Sequence, residues 1–149
     1  SPTSHIGNAK MAIVASSFHK EITEMLKTNC VDTLIKNGIS LKNIKIVDVP
    51  GALEIPLITQ KLAKQKIYDA IIALGVIHKG ETYHFQQVAD GCLRGCMEVS
   101  EDYEIPVIYE VLAVYQLNDA LVRTNGKKYN RGCDAAETAL KMIEILKKI

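Results

Sequence analysis

Four short apolar runs, each handed on by a turn to a segment of helical period, leave this chain few ways to fold. The runs are Met11 to Ala15 (MAIVA), Ile44 to Val49 (IKIVDV), Ala70 to Leu74 (AIIAL) and Val107 to Leu112 (VIYEVL). Each has the length of a strand and is too short for a lone helix, and the third is apolar throughout, as a strand buried on both faces must be. After the first run, Ile22, Met25, Leu26, Cys30 and Leu34 recur at helical spacing, and Asn37-Gly38 closes that helix. After the second, Pro50-Gly51 stops the strand and a helix is expected from Glu54 to about Lys66, with Pro56 in its first turn and Leu57, Ile58, Leu62 and Ala63 inward. After the third, Gly75 ends the run, Gly80 permits a second turn, and Thr82 is placed to cap a helix from about Tyr83 through Val99, with Val88, Cys92, Cys96 and Val99 inward and Gly95 allowing close packing. Leu117 to Val122 reads as a short helix with Arg123 at its end, and a final helix carries Ala135, Ala136, Ala139, Leu140, Ile143 and Leu146 as one stripe.

The order β-α-β-α-β-α-β-α-α predicts an α/β fold of three layers, α/β/α, around a four-stranded parallel sheet joined by right-handed crossovers, the flavodoxin-like class. Residues 10–149 are expected to form one domain, preceded by a flexible segment at residues 1–9. In such sheets ligands bind beyond the carboxyl ends of the strands. That rule selects Ser16 to His19, Gly51 to Glu54, Val76 to His84 and Ala113 to Gln116 as one rim.

At 149 residues the chain can bury a core without staples. Its net charge of +1, with no basic run, argues against a dedicated nucleic-acid or membrane surface. No stretch has the apolar length of a membrane span, and a cytoplasmic protein is expected. Cys30, Cys92, Cys96 and Cys133 lack CxxC spacing, and three of them sit in helical apolar patterns as buried free thiols. Cys92 and Cys96 with His84 would lack further ligands, so neither metal nor cofactor is expected.

The rim offers an aromatic, Phe18, that reads either as a staple over the helix start or as a stacking surface. Glu54 reads as a carboxylate compensating a helix dipole or as a ligand contact. His84, on the first turn of a helix after a Gly-punctuated loop, stands where anions and proton transfers are both accommodated. GxxxxGK[ST], GxGxxG and GxSxG are all missing, so nucleotide hydrolysis, dinucleotide redox and serine hydrolysis lose their usual support.

Four segments together, ASSFHKEI, VPGALEIP, ALGVIHKGETYHF and NDALVRTNGKKYNRGCDAA, resemble the lumazine synthase family in order and spacing from about Met11 to the C-terminus. The resemblance implies a transferase of riboflavin biosynthesis that joins 5-amino-6-(D-ribitylamino)uracil to 3,4-dihydroxy-2-butanone 4-phosphate. It implies His84 as the catalytic proton carrier, with Phe18 stacking on the pyrimidine and Ala52, Leu53 and Glu54 on the ribityl chain. Val76, Ile77 and His78 would meet the pyrimidine edge through backbone groups, and Tyr109 would complete the pocket from a neighbouring subunit. Glu81, Thr82 and Arg123 would hold phosphate, Arg123 across a subunit boundary. The implied partners are small-molecule substrates and copies of the chain itself, as a pentamer or sixty-subunit shell. The chain departs from the family's common pattern at His78-Lys79, at Tyr83, at Ala113-Val114, at Asp134 and in Tyr129-Asn130-Arg131-Gly132. An archaeal-type riboflavin synthase shares the architecture, but Arg123 with Glu81-Thr82 favours the lumazine synthase resemblance.

Overall fold

A computed structural model describes residues 6–80, 83–126 and 130–149. Four parallel strands, β1 (Met11–Ser16), β2 (Ile44–Val49), β3 (Ala70–His78) and β4 (Val107–Val114), lie in the order β2-β1-β3-β4. Five helices connect and cover them: α1 (Lys20–Lys36), α2 (Ile55–Lys64), α3 (His84–Tyr103), α4 (Leu117–Val122) and α5 (Arg131–Lys147). The three-layer α/β/α arrangement is the one the alternation of runs demands.

Strand periodicity sorts the two core layers. Met11, Ile13 and Ala15 of β1 face the layer of α1 and α5 with Ile72 and Leu74 of β3, whereas Ala12 and Val14 face α2 and α3 with Ile71 and Ala73. In register, Ile13 lies between Ile46 and Ile72; Ile13 and Ile72 on the inner strands are fully buried, while Ile46 on the edge strand is exposed. Full burial of each such side chain contributes about 1.5–3 kcal/mol. Ile6 is wholly buried in the first layer, and Lys10 N donates to Asp69 Oδ2 at 2.8 Å beside the start of β3.

Both helix layers close on a glycine. A Cβ on Gly95 of α3 would stand 2.6 Å from Pro56 Cβ of α2, and one on Gly132 of α5 would stand 2.6 Å from the Leu26 carbonyl oxygen of α1. The close packing expected at Gly95 is present, and α5 rests on the α1 backbone in the same manner.

Four expectations are corrected. Gly75 does not end β3: the strand runs on to His78, paired to β4 as far as His78 opposite Val114. Gly75 is there because a Cβ would collide with the Ser16 side chain of β1, so the missing side chain serves strand packing rather than a turn. The buried face of α2 is Ile55, Thr59, Leu62 and Ala63, with Ile58 half-buried and Leu57 64% exposed. A single 3-10 turn over Ala52–Glu54 precedes α2, so the helix begins at Ile55, and the face that carries Ile55, Thr59 and Leu62 leaves Leu57 on the opposite side. On α5 the stripe stops at Ile143, and Leu146 is exposed. α3 also extends past Val99 to Tyr103, where Glu104 takes a left-handed conformation and Ser100 Oγ donates to the Ile105 carbonyl at 2.7 Å. The capping role read for Thr82 lies outside the described residues.

Candidate active site

The carboxyl ends of β1, β2 and β3 open on a cleft of about 400 Å³. Phe18 and His19 reach it from the loop after β1, Gly51 to Glu54 from the turn after β2, Val76 to His78 from the end of β3, and His84, Phe85 and Val88 from α3. Each loop is tied down. Ser17 donates from both N and Oγ to the Val49 carbonyl, at 2.9 Å each, joining the Phe18 loop to the end of β2. Thr23 Oγ1 donates to the Phe18 carbonyl at 3.1 Å, and Lys79 N to the Val114 carbonyl at 2.9 Å.

Phe18 is 65% exposed, so its ring lies over the cleft rather than stapling α1. Gly51 makes room beside it: a Cβ there would stand 3.3 Å from Phe18 Cε2 and 3.1 Å from Glu54 Oε1. An aromatic face and a carboxylate thus flank one bare stretch of backbone, one able to stack on a flat group and the other to accept hydrogen bonds. Ala52, Leu53 and Glu54 come from the 3-10 turn, where the chain turns before α2. His84 is the first residue of α3, a helix of 20 residues, so the imidazole sits at the positive end of a macrodipole.

At the far side of the cleft, His78 Nε2 lies 3.1 Å from the Tyr115 carbonyl oxygen. Lys79 Nζ stands 4.9 Å from the centroid of the Tyr115 ring, which in turn lies 6.1 Å from the Phe85 ring. The His19 and His78 rings meet edge to face at 5.9 Å. Burial, and secondarily the charge of His78, hold the His19 imidazole below its ordinary range, favouring the neutral ring.

Tyr109 and Arg123 are not brought to this cleft. Both line a second one of about 450 Å³ along β4, with Glu110, Tyr115, Asp119 and Arg131. Tyr109 is half-buried on the α2 and α3 side of the sheet; burial, with Cys92 beside it, pushes its hydroxyl upward and keeps it neutral. Arg123 caps α4 and donates to the Asp119 carbonyl at 2.6 Å. Arg131 Nη1 lies 3.9 Å from Glu110 Oε1. Glu81 and Thr82 lie outside the described residues. His19, Gly51, Phe85 and Val88 complete the cleft without having been assigned a role from sequence, although the rim rule includes His19 and Gly51, and Val88 follows His84 by one helical turn.

The sequence pattern of the 6,7-dimethyl-8-ribityllumazine synthase family matches residues 8–147. The chain belongs to this family. Two proteins named 6,7-dimethyl-8-ribityllumazine synthase, from Coxiella burnetii strains CbuG_Q212 and RSA 493 / Nine Mile phase I, are each 40% identical to it over 140 residues, which span 94% of this chain and 93% of theirs. The 6,7-dimethyl-8-ribityllumazine synthase match therefore encloses both clefts. Among the described residues, no helix is long and apolar enough to cross a membrane.

Proposed function

We infer that this chain is a transferase of riboflavin biosynthesis, forming 6,7-dimethyl-8-ribityllumazine from 5-amino-6-(D-ribitylamino)uracil and 3,4-dihydroxy-2-butanone 4-phosphate with release of phosphate and water. The observation that carries the reading is the convergence of Phe18, Ala52 to Glu54, Val76 to His78 and His84 on one cleft. Phe18 stacks on the pyrimidine, Glu54 and the backbone of Ala52 and Leu53 hold the ribityl hydroxyls, and the end of β3 meets the pyrimidine edge.

The 5-amino nitrogen attacks the ketone and the adduct loses water to give an imine. A proton leaves the carbon next to that imine as the phosphate departs, and the resulting enol becomes a carbonyl. The ribityl-bearing nitrogen then closes the ring on this carbonyl with loss of a second water. Each step moves a proton near neutrality, which suits the imidazole of His84. Most of the acceleration comes from holding two reactants in register, worth up to about 7–11 kcal/mol in favourable cases. Arg123, with Glu81 and Thr82, takes the phosphate, its guanidinium acting as a planar fork of donors.

Because Tyr109 and Arg123 stand at the second cleft, they serve the first only in an assembly where the β4 side of one copy faces the Phe18 side of another. A pentamer, alone or in a sixty-subunit shell, is the assembly we propose, acting in the cytoplasm. The exposed Leu53 and Leu57 beside the cleft support such a contact.

The test is lumazine formation from both substrates, followed by its absorbance with phosphate release in parallel. Wild-type acceleration over the uncatalysed mixture is expected. His84→Ala should lower kcat by roughly ten- to a hundredfold, less than a full acid-base contribution because positioning survives. An unchanged kcat in the folded variant removes His84 from the chemistry.

A further inference from the structure

His78 carries a constraint that follows from elementary hydrogen-bond chemistry. Its Nε2 lies 3.1 Å from the Tyr115 carbonyl oxygen, an atom that can only accept, so Nε2 carries the hydrogen. In the neutral ring this leaves Nδ1 with its lone pair, an acceptor on a side chain that lines the cleft. The orientation of that ring has one further support. The His19 ring meets it edge to face at 5.9 Å, and Lys79, the next residue, is turned away over the Tyr115 ring.

His19 is itself held in an unusual way. Its backbone is left-handed, with φ 57° and ψ 53°, a conformation that few non-glycine residues adopt and in which His is enriched. Its carbonyl accepts from Ile22 N at 3.0 Å and Thr23 N at 3.1 Å, which anchors the residue at the start of α1. A helix that begins one residue later leaves the imidazole in the cleft instead of on the helix surface.

We propose that His78 Nδ1 accepts a hydrogen bond from an N–H of the pyrimidine substrate and that His19 is the positioning residue that holds the His78 ring for it. This rests on the function inferred above and adds a side-chain contact to the backbone contacts read for Val76 to His78. The acceptor exists only while the ring is neutral, since protonation puts a hydrogen on Nδ1. Charged or titratable groups sharing the site are Glu54 from the turn after β2 and His84 from α3, with Lys20 and Glu21 following His19 and Lys79 following His78.

The experiment measures the affinity of the assembled protein for 5-amino-6-(D-ribitylamino)uracil by calorimetry between pH 5 and 8, without the phosphate substrate. Because a proton on Nδ1 removes the acceptor, wild-type affinity should be lower on the acid side of that range. His78→Ala should lose roughly tenfold at pH 7.5, the upper end of what one hydrogen bond contributes. His78→Asn, whose amide oxygen falls near the place of Nδ1 and does not titrate, should recover most of that loss and flatten the acid side. His19→Gly keeps the left-handed backbone without strain and removes the ring, so it should lose several-fold affinity while the KM for the phosphate substrate stays unchanged. Affinity within twofold of wild type in His78→Ala, or an unaltered pH profile in His78→Asn, overturns the acceptor. Equal changes in both KM values and in kcat for His19→Gly overturn its positioning role. Wild-type lumazine formation is scored separately, so a protein that binds the pyrimidine by this contact yet forms no product defeats the catalytic reading and leaves the pair standing.

Discussion

Glu110 sits among groups that pull its carboxyl in opposite directions. Burial raises it, the Arg131 guanidinium lowers it, and Asp134 raises it again, with burial the largest effect and the net direction upward. The folded chain therefore holds this proton more tightly than the unfolded chain does. Stability from this group is complete below the unfolded carboxylate range, near pH 4.3 for a glutamate, and is lost as the pH rises through the folded value. Glu110→Gln should accordingly raise the Tm at pH 7, with an advantage that shrinks toward pH 4. A Tm difference that is constant from pH 4 to 7 would show that ionisation of Glu110 is not its source. Arg131, relieved of its partner, remains exposed enough to be solvated, so its loss of the contact costs little.

At the scale of elements, the two glycine crossings give different expectations. A Cβ on Gly132 would meet the backbone of α1 at Leu26 and Cys30 and the Asn29 Cβ, atoms that cannot move without moving the helix. A Cβ on Gly95 would meet only Pro56 of α2, a side-chain contact, although a rigid one. Both Gly132→Ala and Gly95→Ala should destabilise, by about 1–3 kcal/mol as overpacked sites do, with Gly132→Ala the larger loss in urea unfolding. Equal stability of Gly132→Ala and wild type would mean that α5 rides higher over α1 than described. The strands and helices were legible in the sequence because their periods differ, and the short helix Leu117–Val122 was read to the residue. The end of β3 was not, since a glycine that ends a strand and a glycine that lets two strands approach look alike until the neighbour, Ser16, is known. Likewise Leu57 and Leu146 fit an apolar stripe by spacing, but spacing does not say how far a neighbouring element covers them, and among the described residues Leu57 is left 64% and Leu146 43% exposed. The cleft residues Phe18, Ala52 to Glu54, Val76 to His78 and His84 could be gathered in advance because parallel topology puts their loops on one edge. The part of His19 could not, because it depends on a left-handed backbone that histidine does not announce.

For the whole molecule, the separation of the two clefts makes a direct test of a shared site. Arg123→Ala and His84→Ala chains, each weakly active alone, should regain activity when unfolded together and reassembled, because some junctions then pair an intact Phe18 side with an intact β4 side. Recovery to a sizeable fraction of wild type is expected, read by lumazine formation. Activity no greater than the sum of the separate variants would place Arg123 and His84 at the same cleft of one chain, or Arg123 outside the site. Sedimentation of the wild type should give a particle several times the 16.5 kDa chain mass.

On the function proposed above, the arginine meant for the phosphate stands at the β4 edge of the sheet and the aromatic meant for the pyrimidine on the loop after the inner strand β1, in separate clefts, so a solitary chain would hold two incomplete halves of a site. Dilution should then act on this molecule as an inhibitor does: below the concentration at which copies find one another, turnover is expected to stop while folded protein persists.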